Sequence, residues 1–503
     1  MQPGTFSFFL YLTETVAVCF AVPKKAQWLV LLAASLGYYM TFATAAPVWL
    51  LVTILATWGG ALPLEKLNKA AKAHPKDSRE RILLTRQKKL CLAAVLTVDL
   101  GLLTVLKYRG LLTGGSIVAP LGISFYTMTA IGYLMDVYRG RYPAERNPLR
   151  VALFLTLLLQ IVQGPFTRYD DMGQKLRQPL SFDYDRLRRG AMRVLWGMLK
   201  KLVIADRLGQ YVQPALANPA QQGSPVVLIA LCLYSIQIYA DFSGYMDMIL
   251  GAGNILGLTL PENFENPLAA RSVSDFWRRW HITLGAWFKD YVFYPISVSG
   301  LATKWSRSLR KSGKIRPAKL TPALMGLAAV WPLTGLWHGA TWNFLLWGLL
   351  NGLAIALSLL TEPWQKSILA RLRLRPESRA FIAFQVIRTF LVLTLIRVFS
   401  RTETMRQALE VLRCALWQNL ENGFSLFPAG FNTATQCYVL AAFILSIVVL
   451  LIERLGHPEA LLNRFDALRL PLKYAVSLGI LYTVLVLGLL GGDLFSGFLY
   501  AGF

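Results

Sequence analysis

Leu333-Thr334-Gly335-Leu336-Trp337-His338-Gly339-Ala340-Thr341-Trp342-Asn343 places one of only four histidines in 503 residues between two long apolar runs, Leu320 to Trp337 and Trp342 to Leu360. An ionisable side chain at that depth in an apolar stretch is expensive, and its default reading is functional. A neutral imidazole, with an ordinary pKa of about 6.5, can take a proton from a hydroxyl and return it. The small neighbours Gly335, Gly339 and Ala340 are expected to leave room for a substrate beside it. The competing reading of His338 is a structural histidine hydrogen-bonded between helices.

Upstream, Ser274-Asp275-Phe276-Trp277-Arg278-Arg279-Trp280-His281-Ile282-Thr283-Leu284, followed by Trp287-Phe288-Lys289-Asp290-Tyr291, carries a second histidine among indoles and charges. Helical spacing predicts that Trp277 and His281 share one face. Asp275, Arg278, Arg279, Lys289 and Asp290 beside His281 suit the phosphates of a nucleotide-bearing donor. The same residues also read as an interfacial anchor, with indoles at headgroup depth. Trp337, Asn343 and Gln237 complete the candidate binding set. Gln237 lies in the polar stretch Tyr234 to Asp247, which reads first as a helix brace or cavity lining. Gly122-Ile123-Ser124-Phe125-Tyr126 and Gln163-Gly164-Pro165 mark kinks or re-entrant turns.

Composition sets the class. The chain is 55% hydrophobic and 16% charged, with mean hydropathy +0.46, which predicts an integral membrane protein. Its 52 Lys+Arg against 27 Asp+Glu give +25; because the bases lie between apolar runs, orientation by cytoplasmic positive charge and contact with lipid headgroups explain them without nucleic acid. Cys19, Cys91, Cys232, Cys414 and Cys437 show no metal-ligand spacing, so neither zinc nor a structural disulfide is expected. The run Phe6 to Val22 lacks a basic lead and reads as a first span.

A crossing needs about 20 apolar residues. Expected spans lie near Phe6 to Val22, Trp28 to Phe42, Val48 to Leu64, Cys91 to Leu106, Gly122 to Val137, Val194 to Ala205, Val226 to Tyr239, Leu320 to Trp337, Trp342 to Leu360, Phe381 to Phe399, Tyr438 to Ile452 and Tyr474 to Leu490; Met246 to Leu260 is ambiguous. Val151 to Val162, short and flanked by basic residues, is expected to dip in and return. The basic segment Lys66 to Lys89, with nine Lys/Arg, and Lys304 to Lys319, with seven, are expected as cytoplasmic loops, which puts the N-terminus outside. The expectation is an all-α polytopic transmembrane bundle of about eleven or twelve crossings plus re-entrant segments. It is read as one domain over 1–503 with a catalytic core at about 120–360. There is no internal repeat, which weighs against a transporter built from related halves.

Leu121-Gly122-Ile123-Ser124-Phe125-Tyr126, Asp136-Val137-Tyr138-Arg139-Gly140, Gly164-Pro165, Lys200-Lys201-Leu202-Val203-Ile204-Ala205-Asp206-Arg207, Asp241-Phe242-Ser243-Gly244-Tyr245, Pro261-Glu262-Asn263-Phe264, Asp275 to His281, Trp287 to Tyr291 and Gly335 to Ala340 resemble the membrane-bound O-acyltransferase family, in its bacterial alginate O-acetylation branch. The resemblance covers nearly the whole chain. It departs at Tyr294-Pro295-Ile296-Ser297-Val298-Ser299 and at Arg397-Val398-Phe399. It implies His338 as the catalytic residue with His281 as its partner, and cavities meeting near His338 from both sides. It also implies transfer of an acyl group, with acetyl expected, from acetyl-CoA or another acyl thioester or acyl carrier onto an extracytoplasmic polysaccharide such as alginate. No permanently bound cofactor or metal is expected. Expected partners are membrane lipids, polysaccharide biosynthesis proteins and a separately encoded, extracytoplasmic esterase-like (SGNH) transferase, at the bacterial inner membrane. The alternatives are D-alanyl or other acyl transfer to teichoic acid or peptidoglycan and, from another class, a flippase for a lipid-linked sugar.

Overall fold

A computed structural model describes residues 6–41, 46–113, 120–417 and 425–489; Phe42 and Leu490, at the ends of two expected spans, lie outside the described residues. The described chain is helical, with one isolated β-bridge, Phe264 to Trp280, and no strand. It groups into two compact units, residues 1–194 with 249–261 and residues 195–248 with 262–503.

The first unit contains α1 (Phe6–Ala21), α2 (Gln27–Met40), α3 (Ala46–Ala73), α4 (Arg79–Thr113), α5 (Ile123–Arg139), α6 (Pro148–Thr156), α7 (Tyr169–Lys175) and most of α8 (Tyr184–Met198). The basic segment expected as a loop is mostly helix: α3 continues to Ala73 and α4 begins at Arg79. Lysine and arginine are good helix formers, so only the stretch around Pro75 breaks the run. α6 has nine residues, too few to cross. Beyond it the backbone is irregular and buried, and Leu158 N–H donates to Ser35 Oγ at 3.0 Å. Glu145 anchors the same unit, accepting from the Tyr169 hydroxyl at 2.6 Å and pairing with Arg177.

The second unit contains α9 (Asp206–Ala217), the first part of α10 (Ser224–Leu256), α11 (Val273–Arg279), α12 (Ile282–Phe288), α13 (Tyr294–Ser297), α14 (Gly300–Lys311), α15 (Ile315–His338), α16 (Trp342–Arg371), α17 (Arg379–Arg401), α18 (Met405–Leu416), α19 (Thr433–Arg454), α20 (Pro458–Asp466) and α21 (Leu470–Leu487). The basic stretch from Lys304 is again helix, in α14 and the start of α15.

Among the described residues, eight helices, α3, α4, α10, α15, α16, α17, α19 and α21, are long and apolar enough to cross a membrane. The chain is a multi-pass membrane protein. α1, α2 and α5, which coincide with three further expected spans, are shorter, with 16, 14 and 17 residues. The expected span from Val194 is interrupted by a π-helical turn, Leu199–Ala205. In this wide turn two consecutive buried lysines each reach two carboxylates: Lys200 meets Asp247 at 2.5 Å and Glu453 at 2.9 Å, and Lys201 meets Asp206 at 2.8 Å and Asp241 at 2.7 Å.

Candidate active site

The site is built on the hairpin of α15 and α16. Helix α15 ends at His338, where the sequence expects the chain to turn; Gly339 is extended, and Thr341 caps α16 by accepting from Phe344 N–H. The glycines here do different work from that expected. A Cβ at Gly335 would meet the Phe344 carbonyl oxygen, one at Gly339 the Phe344 ring, and one at Gly348 the Trp331 carbonyl oxygen. Their missing side chains bring the two helices together and press Phe344 onto the turn, so the space is filled by protein rather than kept for substrate.

His338 is 4% exposed. Its ring lies edge-on to Trp347 at 4.9 Å and to Trp337 at 4.7 Å. It lines a cavity of about 30 Å³ whose walls include Trp277, Trp280, Phe344, Trp347 and Arg397. Trp277 is fixed by its indole N–H, which donates to Asn351 Oδ1 at 3.0 Å, while Asn351 Nδ2 donates to Trp347 O at 2.8 Å. One asparagine on α16 therefore ties α11 to the wall of the cavity.

His281 sits differently. The expected single helical face is broken: α11 stops at Arg279, and His281 has φ +48° and ψ +51°, a left-handed residue just ahead of α12. An L-residue rarely adopts this conformation unsupported. Asn263 supports it, its backbone carbonyl taking Ile282 N–H at 3.0 Å and its Oδ1 taking Thr283 N–H at 3.0 Å and Thr283 Oγ1 at 2.7 Å. Trp277 and His281 consequently face different ways. Trp277 lines the cavity, whereas His281 packs edge-on against Phe242 at 4.9 Å, with its Nδ1 3.4 Å from Asn263 Oδ1. Trp337 touches both imidazoles, being 5.9 Å from His281. Burial pushes the His281 pKa down to about 3, which holds the ring neutral.

The proposed cationic set lies apart from the His338 cavity. Arg278 is 74% exposed and pairs with Asp275 at 3.2 Å; Arg279 pairs with the same carboxylate at 3.0 Å. Burial works against the Asp275 carboxylate, but the Arg271 amide and the Arg279 guanidinium outweigh it and hold its pKa below the usual value. Lys289 is exposed over the Tyr294 ring, and Asp290 lies beside it on a π-helical turn. Asn343 holds the end of α17, donating to Thr402 O at 2.8 Å and Oγ1 at 3.1 Å. Gln237 lays its amide against Gly209. None of these seven lines the cavity. The sequence reading passed over Trp347, Asn351 and the position of Arg397. Asn343, Trp347 and Asn351 recur every four residues in an otherwise apolar helix, the spacing that marks one face turned to a polar neighbour.

Residues 144–309 match the membrane-bound O-acyltransferase family. The chain is similar to the probable alginate O-acetylase AlgI of Azotobacter vinelandii, 35% identical over 241 residues, which is 48% of this chain and 44% of that protein. It is 30% identical to the peptidoglycan O-acetyltransferase of Helicobacter pylori over 327 residues, 59% of this chain and 56% of that protein. It is 26% identical to the teichoic acid D-alanyltransferase of Bacillus subtilis over 259 residues, 50% of this chain and 62% of that protein. The chain thus spans about half the length of the curated relatives it matches.

Proposed function

We propose that the chain is a membrane-bound O-acyltransferase, the family that its residues 144–309 match, and that it moves an acyl group, acetyl foremost, from a cytoplasmic thioester to a hydroxyl destined for an extracytoplasmic polysaccharide. The observation that carries this reading is His338, buried at the end of a spanning helix and lining a small aromatic-walled cavity. The cavity suits a short acyl chain, and the imidazole supplies the proton transfer that acyl exchange needs.

In the proposed reaction the acceptor oxygen adds to the thioester carbonyl carbon while its proton passes to the His338 imidazole. Collapse of the tetrahedral intermediate breaks the C–S bond, and the thiolate takes the proton back. The thioester supplies the driving force, and the protein supplies position and proton transfer. His281, neutral and joined to His338 through the Trp337 indole, orients the site. Arg278, Arg279 and Lys289 are the cations available to a donor's phosphates at the surface. Polymer acylation is completed by a separate esterase-like partner outside the inner membrane.

A second reading, D-alanyl transfer from an acidic carrier protein, is favoured by the exposed basic face of α14 and by the D-alanyltransferase relative. Purified protein offered acetyl-CoA and, separately, a D-alanyl carrier distinguishes the two. Consumption of acetyl-CoA by wild type but not by His338→Ala supports the first reading. Consumption of the carrier thioester alone supports the second, and consumption of neither sinks acyl transfer and favours transport.

A further inference from the structure

Arg397 is a buried cation inside the spanning helix α17, 6% exposed, and it lines the same cavity as His338. Charge at such a place is costly and is retained where it faces the protein interior and has work to do. The Arg397 Cζ lies 5.0 Å from the centre of the Phe276 ring and 5.2 Å from that of Trp280, and these two rings stack on each other at 5.4 Å. Stacking occupies the flat face of a guanidinium. Its N–H donors lie in the plane, in a fork that matches oxygen atoms carrying negative charge. Arg397 also borders a second small cavity beside Pro267 and Leu393.

We propose that Arg397 donates hydrogen bonds to the carbonyl oxygen of the acyl group held at His338 and stabilises the negative charge that forms there. The proposal rests on the acyl-transfer reading above. When the acceptor hydroxyl adds to the carbonyl carbon, the π pair of the C=O bond moves onto oxygen and the hydroxyl proton moves to His338. When the intermediate collapses, the C=O bond re-forms, the thiolate leaves, and it receives the proton from the imidazolium. His338 handles the proton and Arg397 the oxyanion. The cavity is buried and its walls are mostly aromatic, so a charge-assisted hydrogen bond inside it counts for more than one at the surface. The oxyanion is fully developed only past the ground state, so the contact acts on kcat.

The test is steady-state acetyl-CoA turnover by purified protein in lipid vesicles, comparing wild type with Arg397→Met, Arg397→Lys and His338→Ala, with thermal unfolding as the control for folding. Loss of an oxyanion donor costs about 100- to 1000-fold in rate. Arg397→Met is expected to lose kcat on that scale with the KM for acetyl-CoA within about 3-fold of wild type. Arg397→Lys, which keeps the charge over the rings without the fork, is expected to be roughly 10-fold down and to melt close to wild type. It is the deciding variant if Arg397→Met does not fold. A folded variant of either kind with kcat within about 3-fold of wild type, or with its loss in KM alone, overturns the proposal. Failure of both variants to fold assigns Arg397 to the scaffold and overturns it too. Wild type that shows no His338-dependent turnover refutes the acyl-transfer reading itself, a separate result visible before any Arg397 variant is measured.

Discussion

Trp347 stands edge-on to His338 across the cavity, so its indole limits the chain that fits beside the imidazole. Trp347→Ala is expected to open the pocket and shift selectivity from acetyl toward butyryl thioesters. One or two methylenes in an apolar pocket are worth about 1–3 kcal/mol, or roughly 10- to 200-fold in kcat/KM ratio. An unchanged acetyl-to-butyryl ratio in folded Trp347→Ala would place the acyl chain elsewhere. His281 offers a different residue-scale test. Its folded pKa of about 3 lies below the ordinary value, so on acidification the unfolded chain takes up a proton that the folded protein refuses. Stability at this residue is then full above about pH 6.5 and declines as pH falls below it. Asp275, also held below its usual value, weakens in acid as well. The informative quantity is therefore a difference: His281→Asn should melt below wild type at pH 7.5 and closer to wild type, or above it, at pH 5. A gap that stays constant between the two pH values would show that the buried ring is not held neutral.

At the scale of elements, the α15–α16 hairpin depends on close backbone approach at Gly335 and Gly348. Gly348→Ala must push Cβ into the Trp331 carbonyl, and overpacking of this kind costs about 1–3 kcal/mol. Gly101, on α4, meets nothing within 4 Å of a built Cβ, and alanine there gains about 0.5–1 kcal/mol of helix preference. Melting temperatures in detergent should therefore move in opposite directions for Gly348→Ala and Gly101→Ala. A shared direction would mean that Gly348 does not set the helix approach. The hairpin was legible in the sequence because a histidine between glycines interrupts two apolar runs. The break at His281 was not. Trp277 and His281 stand four apart, and nothing local forbids a helix through them; Asn263, eighteen residues before His281, supplies the hydrogen bonds that hold the left-handed turn. Helical spacing put Trp277 and His281 on one face; tertiary contacts instead set Trp277 and Trp280 along the wall of the His338 cavity.

At the scale of the whole molecule, the all-helical, multi-pass character follows from composition, because only helices satisfy backbone groups across so much apolar chain. The crossings were harder to read. The run Val194 to Ala205, expected as a span, buries its second half against protein in a π-helical turn, and hydropathy does not distinguish burial in protein from burial in lipid. The basic segments remain the guide to orientation. Cysteines introduced at Lys76 and Lys311 are expected to react with an impermeant reagent only from the cytoplasmic side, and one at Gln221 only from outside. Labelling of Lys311 from outside would invert the donor's route to His338.

The most direct measurement of the central claim follows the acyl group itself. Wild type and His338→Ala, each matched for folded protein in lipid vesicles, are given acetyl-CoA labelled in the acetyl group together with a hydroxyl acceptor, and label joined to the acceptor is counted. The expected result is labelled ester from wild type and a loss of about 1000-fold or more in His338→Ala, since a general base alone contributes about 100- to 10,000-fold. Comparable ester formation by the folded His338→Ala variant would contradict the assignment of His338 as the residue that moves the proton.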